Sequence, residues 1–398
     1  MRRFAPSPIT SLVDDSPRYN LGESYGRELD IADLLADGDA AVLGAVALSY
    51  ATSAGGRELR QLLGAKLGVD ADEILITTGA VSALFLLGLV LAAEDAEVLL
   101  AQPCFPPQRA ALDGIGANVV AVRTRFEDGY RLDATELGRH LSTRTSLVAV
   151  ASPQNPSGVV IDRQQIDTLL DAIAMVCPRA FLLVDETFRE AVYGEGPVPA
   201  SFAPVSERVV TCGSLSKAHG APGLRVGWMT VRDPHLYEQL RLAKFNTAIS
   251  CGTVDEFLAT QLLRRADAIL LPRRAHLAEA LDVVAQWVQE HRADVHWVRP
   301  DAGAFCCLQL DPDRFDERDV EHFHRRLTDA GILMARGEWF GDSARVFRLG
   351  FAYEPIERLR EALELVGEAL EATPSAPAAS ASSTRDPGLA GPDRQRGR

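Results

Sequence analysis

The sequence of 398 residues has no apolar run long enough to cross a bilayer as a helix. Its most apolar stretch, residues 83–91, is about half the required length and is typical of a buried helix. No apolar segment follows the two arginines at the N-terminus, so the sequence does not predict a signal peptide. These absences argue against a membrane protein and a secreted protein, and a cytoplasmic location is expected.

Positive charge is also scarce. Lys and Arg number 41 against 55 Asp and Glu, and the resulting net charge of −14 argues against binding to nucleic acid or to an anionic membrane. The six cysteines have no CxxC pair and no framework spacing, as expected of reduced thiols. His322 and His324 would point apart on a helix, so no metal site is predicted.

The sequence does contain an alternation of short apolar runs with amphipathic segments. The runs are residues 98–101, 119–122, 147–150, 181–184 and 209–212. Runs that are apolar throughout are typical of parallel strands covered by helices on both faces. The segments between them, such as residues 164–175, have helical spacing. We therefore predict an α/β domain of three layers around a mainly parallel sheet.

The pattern changes after residue 228. Helical spacing over residues 255–290 predicts two helices broken at Pro272, and strands are predicted at residues 304–310 and 345–350, which makes a smaller α+β domain. A C-terminal tail rich in Pro, Ala and Ser is predicted to be disordered. The predicted bounds are 1–40 for an N-terminal arm, 41–255 for the large domain, 256–372 for the small domain and 373–398 for the tail.

The most informative segment is residues 214–228, Ser-Leu-Ser-Lys-Ala-His-Gly-Ala-Pro-Gly-Leu-Arg-Val-Gly-Trp. A lysine amine can condense with an aldehyde, so Lys217 is a candidate for a covalent link to a cofactor. Ser214 and Arg225, set among flexible glycines, suit a phosphate dianion. Together these residues indicate an aldehyde that carries a phosphate, which is pyridoxal 5′-phosphate (PLP). The segment closely resembles the cofactor-lysine segment of fold-type I PLP enzymes, in the class I and II aminotransferase branch, whose large domain is aspartate aminotransferase-like.

Four further motifs follow predicted strands, where ligands bind in open parallel sheets. They are Thr78-Gly79-Ala80, Pro103-Cys104-Phe105, Asn155-Pro156-Ser157-Gly158 and Asp185-Glu186-Thr187-Phe188. Taken singly, each has an ordinary explanation as a helix cap, a turn or core packing. Backbone N–H groups at the helix start after Gly79 can hold a phosphate. A carboxylate at Asp185 can pair with a pyridine nitrogen and make the ring an electron sink.

The family resemblance implies roles for these residues. Gly79 and Ala80 match the phosphate-binding turn, Phe105 matches the aromatic residue that stacks on the cofactor ring, and Asn155 matches the residue that bonds the ring oxygen and the substrate carboxylate. Lys217 is implied to hold the cofactor and to act as the catalytic base at the substrate Cα.

Three matches lie outside those motifs. Arg348 resembles the arginine that pairs with the substrate α-carboxylate, and Gly22 lies in a segment that resembles the one passing over the substrate. Tyr50 resembles the tyrosine that reaches the phosphate bound by the neighbouring subunit, so a homodimer is implied. The resemblance covers about residues 20–370, in the family's order.

One position departs from the family pattern. Phe188 stands where the typical aminotransferase has a tyrosine that donates a hydrogen bond to the ring oxygen. Its absence is expected to keep the lysine–cofactor link protonated to higher pH. Phenylalanine at this position also occurs in phosphothreonine decarboxylases and in capreomycidine synthases, and residues 214–228 look especially like the latter.

The resemblance thus implies a PLP enzyme that acts on the Cα of an L-amino acid. Transamination is favoured, and two alternatives stay open: elimination with cyclisation of a hydroxylated arginine, and decarboxylation. A basic substrate would need acidic residues in the pocket, for which Glu23, Asp30 and Glu338 are candidates. A PLP-fold transcription regulator is disfavoured, because the roughly 20 residues before the resembling region are too few for a helix-turn-helix unit.

Overall fold

The computed structural model describes residues 4–35, 38–92 and 95–373. Residues 374–398, nearly all of the predicted tail, lie outside the described residues. The strands are β1 (Tyr19–Asn20), β2 (Ile74–Thr77), β3 (Glu97–Gln102), β4 (Asn118–Arg123), β5 (Thr145–Ala151), β6 (Phe181–Asp185), β7 (Val209–Ser214), β8 (Gly227–Val231), β9 (Val295–Val298), β10 (Phe305–Leu310), β11 (Ile332–Leu333), β12 (Ala335–Arg336) and β13 (Val346–Gly350). The helices are α1 (Ser11–Asp14), α2 (Ile31–Leu34), α3 (Asp39–Gly44), α4 (Arg57–Leu67), α5 (Ala80–Leu91), α6 (Pro106–Ile115), α7 (Ala134–Arg139), α8 (Arg163–Val176), α9 (Pro234–Ala248), α10 (Thr253–Arg264), α11 (Ala266–Glu290), α12 (Glu317–Asp329) and α13 (Ile356–Glu371).

The largest sheet has seven strands in the order β2-β8-β7-β6-β5-β3-β4. The pairs from β7 through β6, β5 and β3 to β4 are all parallel, whereas β8 is antiparallel to both of its neighbours. The carboxyl ends of β2 through β7 therefore lie at one edge of the sheet. That edge is where ligands bind in open α/β sheets.

Both faces of this sheet are covered by helices. Val98 and Leu100 of β3 pack in one core with side chains of α5, α6 and α9. Their neighbours Leu99 and Ala101 face the opposite core, which α7 and α8 complete. Each buried Leu or Val contributes about 1.5–3 kcal/mol to stability. The predicted three-layer α/β architecture, with apolar runs buried on both faces, is confirmed.

A second, antiparallel sheet has the order β12-β13-β10-β9. Leu281 of α11, Phe323 of α12 and Leu363 of α13 pack against it in a separate core. The N-terminal segment joins this part of the molecule, because β1 pairs with β11 and the N–H of Gly350 donates to the carbonyl of Leu21 (2.7 Å). The predicted α+β part is thus confirmed, whereas the exact domain bounds stay a prediction.

The predicted helix break at Pro272 is wrong. The chain leaves the helical conformation at Arg265 (φ −115°, ψ 16°), between α10 and α11, and Pro272 lies inside α11. A proline removes one hydrogen-bond donor, but Leu270 and Leu277 on either side of it are both buried. Their packing keeps the helix continuous.

Within the described residues, no helix combines the length and the apolar character needed to cross a membrane.

The contact between Gly350 and the N-terminal segment generates a prediction. A Cβ at residue 350 would lie 1.9 Å from the carbonyl oxygen of Glu23, so Gly350→Ala must push the segment away. We expect the free energy of unfolding to fall by about 1–3 kcal/mol, measured by urea denaturation. Gly44→Ala is the control, since nothing lies within 4 Å of a Cβ there. Equal effects of the two substitutions would contradict this account.

Candidate active site

The motifs singled out in the sequence meet at one edge of the seven-stranded sheet. Gly79, Phe105 and Asn155 follow β2, β3 and β5, while Asp185 and Ser214 are the last residues of β6 and β7. They surround a cavity of about 710 Å³. Of the predicted site residues, its lining includes Ala80, Phe105, Asn155, Asp185, Phe188, Ser214, Lys217 and Arg225.

A turn at the start of α5 forms one end of the cavity. Gly79 has φ 81°, and a Cβ there would lie 2.5 Å from Nη2 of Arg225, so only glycine leaves the guanidinium its place. The hydroxyl of Ser214 donates to that of Ser216 (2.7 Å), which in turn lies 3.4 Å from Nη1 of Arg225. Helix N–H groups, two hydroxyls and a guanidinium make a donor set that fits a phosphate dianion.

Lys217 lies in the turn after β7, and its Nζ donates to Oγ of Ser24 (2.8 Å). The same nitrogen lies 4.9 Å from the ring centroid of Tyr25. Burial lowers the pKa of Lys217 to about 8, and the charges of Arg348 and Arg225 act in the same direction. The amine is therefore neutral in a much larger fraction of molecules near neutral pH than that of an ordinary lysine, and the neutral form is the one that a nucleophile or a base requires.

The carboxylate of Asp185 is buried at the end of β6. Its Oδ1 accepts hydrogen bonds from the N–H (2.9 Å) and the hydroxyl (2.5 Å) of Thr187. Burial raises the pKa of Asp185, while the bonds from Thr187 and Cys212 and the charge of Lys217 oppose that shift. A buried carboxylate that faces a cavity is stabilised by a cationic ligand there, such as a protonated ring nitrogen.

Arg348 of β13 is 1% exposed. Its Nη1 donates to Oδ1 of Asn155 (2.7 Å), and its Nη2 donates to the carbonyl of Gly22. The guanidinium lies between the rings of Phe305 and Phe340, with centroids 5.1 and 4.9 Å away. Its Nε has no partner among the described residues. The predicted substrate residues, from three distant parts of the chain, are therefore brought together.

The two predicted aromatic residues lie on the same cavity. Phe105 stands at the start of α6. Phe188 is buried and packs edge-on against Phe305, with ring centroids 4.8 Å apart. Its ring centroid is 6.0 Å from Nζ of Lys217.

Two predicted positions are separated from this arrangement. Tyr50 is 80% exposed and is not part of the cavity lining in the single chain. Glu338 is exposed outside the cavity and pairs with Arg336 (2.7 Å). Within the described residues, no cluster of His, Cys, Asp or Glu is arranged to hold a metal ion.

The other two acidic candidates lie at the N-terminal segment. Glu23 is buried and lines the cavity, whereas Asp30 lines an adjoining cavity of about 880 Å³. The two cavities share Tyr25, Glu28, Lys217 and Tyr353 in their linings. The segment from Glu23 to Asp30 therefore forms a wall between them.

Several residues of the site were missed by sequence reasoning. Ser24 and Tyr25 contact Lys217, Thr187 bonds Asp185, and the rings of Phe305 and Phe340 flank Arg348. Ser24 and Tyr25 directly follow Gly22-Glu23, so the polar character of that segment was the available signal. Nothing in the sequence around Phe305 and Phe340 distinguishes these two residues from ordinary core residues.

This combination of a phosphate-binding turn, a strand-end aspartate and a lysine defines a PLP-dependent enzyme. The family model described as aminotransferase class I and II matches residues 30–366. The chain belongs to this family.

Its relatives include enzymes of two reaction types. Capreomycidine synthase of Streptomyces vinaceus is 31% identical over 320 residues, which are 80% of either chain. Arginine–pyruvate transaminase AruH of Pseudomonas aeruginosa is 32% identical over 345 residues, 80% of this chain and 84% of the relative. Among solved structures, a PLP-dependent aminotransferase from Streptococcus suis has a TM-score of 0.82 and covers 93% of this chain and 99% of its own, at 24% identity. The PLP-dependent cyclase OrfR has a TM-score of 0.80 over 93% and 98% of the two chains, at 25% identity. The predicted family, fold and cofactor are confirmed.

The lowered pKa of Lys217 generates a prediction for the apo-protein. The rate of PLP uptake, followed by absorbance at constant ionic strength, should rise with pH and reach half its maximum near pH 8. An ordinary lysine, with a pKa of about 10.4, would show a rate still rising steeply above pH 9. Lys217→Ala is the control and should abolish the absorbance change. A half-maximum near pH 10 would contradict the account of a desolvated amine.

Proposed function

We propose that the protein is an aminotransferase that takes the amino group of an L-α-amino acid. The observation that carries the proposal is the position of Lys217, Asp185 and Asn155 on one cavity, with the buried Arg348 hydrogen-bonded to Asn155. In this arrangement, Arg348 and Asn155 can bind the carboxylate of an amino acid, and Lys217 can take up its Cα proton.

The cofactor would be held at three points. Ser214, Arg225 and the N–H groups after Gly79 would bind its phosphate, and Asp185 would pair with its ring nitrogen. Phe105 would stack on one face of the ring, with Asn155 near the ring oxygen. When bound, PLP supplies a ring that withdraws electrons from the substrate Cα.

The remaining groups act on the substrate. Arg348 offers a planar pair of donors for the α-carboxylate, in exchange for its bonds to Asn155 and Gly22. This contact would aim the Cα–H bond at the amine of Lys217. A neutral Lys217 then accepts the Cα proton, and orientation of this kind accounts for much of the rate.

A second candidate function is elimination at Cβ followed by cyclisation. Two observations favour it: the 31% identity with capreomycidine synthase over 80% of the chain, and Phe188, which offers no hydroxyl to the cofactor. Both functions share the removal of the Cα proton by Lys217 and differ in what happens next. Decarboxylation, the third alternative, has no further support.

One half-reaction separates the candidates. PLP-loaded protein is mixed with single L-amino acids, without a keto acid, and its spectrum and products are recorded. Transamination predicts conversion of the bound cofactor to pyridoxamine phosphate, with the matching keto acid as product. Lys217→Ala should slow the conversion by at least about 100-fold. Recovery of the aldehyde form together with a cyclised or eliminated product would contradict the aminotransferase assignment and support the second candidate.

We also propose that the active form is a homodimer in which Tyr50 contacts the phosphate in the partner subunit. Support comes from the exposed apolar side chains Leu48, Tyr50, Phe245 and Ile249. They belong to neighbouring segments, because Lys244 donates to the carbonyl of Ser53 (2.7 Å). An exposed apolar patch of this kind is typical of a subunit interface.

The dimer proposal predicts two results. Light scattering after gel filtration should give twice the mass of the chain. Tyr50→Phe should keep that mass and weaken PLP binding about 10-fold, as the loss of one hydrogen bond to a charged group does. A monomer that retains PLP with unchanged affinity would contradict the proposal.

A cytoplasmic location stays a prediction, supported by six free, buried cysteines.

A further inference from the structure

The carboxylate of Glu23 is an unpaired charge beside the reaction centre. Glu23 is 6% exposed and lines the cavity. Its Oε2 accepts a hydrogen bond from the N–H of Ser24 (3.1 Å), and its Oε1 accepts none from the described residues. Among those residues, no Lys, Arg or His forms an ion pair with it within 4 Å. A buried carboxylate in this state is costly unless a cation compensates it.

The charge of Glu23 acts on two cations of the site, the amine of Lys217 and the guanidinium of Arg348, and raises the pKa of both. On the proposed function, neither remains available during the reaction. Lys217 is neutral at the step in which it acts as a base, and Arg348 is taken up by the substrate α-carboxylate. Arg225 and Asp185 are matched by the phosphate and the ring nitrogen. Glu23 is then the one charge of this set left without a counterpart.

The N-terminal residues that line this cavity carry charge of the same sign as Glu23. The N-terminal segment contributes Asp15, Glu23 and Glu28 to the cavity lining and no basic residue. Glu28 accepts a hydrogen bond from the hydroxyl of Tyr25 (2.9 Å), and its charge also acts on Tyr353. This side of the cavity therefore attracts a positive group and repels an acidic one.

We infer that the enzyme selects α-amino acids whose side chain ends in a cation, and that Glu23 is the residue that binds this cation. The inference rests on the proposed function, because it assigns Arg348 to the α-carboxylate. Glu23 is one residue from Gly22, whose carbonyl is bonded by Arg348. The α-carboxylate and the side-chain cation of a basic amino acid would thus be bound next to the same short segment, with the charge of the side chain facing a carboxylate rather than water.

The test compares ligands that differ in charge and little in shape. Dissociation constants are measured by calorimetry with PLP-loaded protein for L-arginine, L-lysine, the neutral L-citrulline and the acidic L-2-aminoadipate, and kcat/KM is measured for the same set. We expect the best basic amino acid to bind about 10- to 100-fold more tightly than L-citrulline, the range of one charge-assisted hydrogen bond. L-2-Aminoadipate should bind least.

Glu23→Gln is the decisive variant. The amide oxygen can still accept from the N–H of Ser24, so the segment keeps its conformation while the charge is lost. The variant should weaken binding of the basic amino acid about 10- to 100-fold and leave L-citrulline nearly unchanged. If the loss of this charge also changes the protonation of Lys217, all substrates are affected alike. That effect cancels in the ratio of their kcat/KM values. Glu338→Gln is the matched control on the surface and should leave the ratio unchanged.

The outcomes separate the two proposals. Equal affinity for L-arginine, L-lysine and L-citrulline would overturn the inference, as would a Glu23→Gln variant that weakens all ligands equally. In either case, turnover of any amino acid to its keto acid would leave the aminotransferase proposal standing. Absence of turnover with every amino acid would overturn that proposal, and the binding ratios would still decide the role of Glu23.

Discussion

The guanidinium of Arg348 is the contact on which the rest of the site depends. It is fully buried, donates to Asn155 and to the carbonyl of Gly22, and thereby ties together the small sheet, the large sheet and the N-terminal segment. Burial lowers the pKa of Arg348 to about 10, so it remains charged at neutral pH. A buried charge requires hydrogen bonds or a counter-ion, and its Nε has no partner among the described residues. The fold thus holds a charged guanidinium away from water, where it can bind an anion strongly.

The same close packing of charged groups determines the protonation of Lys217. Burial, Arg348 and Arg225 favour its neutral form, whereas Glu23 and Asp185 favour the ammonium form. Because Glu23, Asp185 and Arg348 lie on segments distant from the lysine turn, the balance depends on tertiary packing as well as on the local sequence, which supplies Arg225. A site of this kind keeps part of its lysine neutral, and so able to accept a proton, near neutral pH, which an isolated lysine in water does far less.

Much of this arrangement could be predicted from the sequence, because the cofactor residues lie at the ends of strands. Once five apolar runs predict a parallel sheet, Asn155, Asp185 and Ser214 must meet at one edge. The contacts of Ser24 and Tyr25 could not be predicted, since they depend on how the N-terminal segment docks on β13. The helix break was placed at Pro272 because proline is a strong local signal, yet core packing carries α11 through it. The role of Tyr50 depends on a second subunit, so it rests on the family resemblance and not on the physical pattern of this sequence.

The wall between the two cavities is attached to the molecule chiefly through its backbone. Gly350 donates to the carbonyl of Leu21 and Arg348 to that of Gly22 just before the wall, and the N–H of Leu29 within it donates to the carbonyl of Gly220 (2.9 Å), so much of its path is fixed by backbone contacts. Apart from Ser24 and Tyr25, which contact Lys217, the side chains of this segment can change in charge and size without altering those backbone contacts. Such a separation gives a single scaffold a simple route to new substrates, since specificity can diverge in one short segment that the catalytic strands do not constrain.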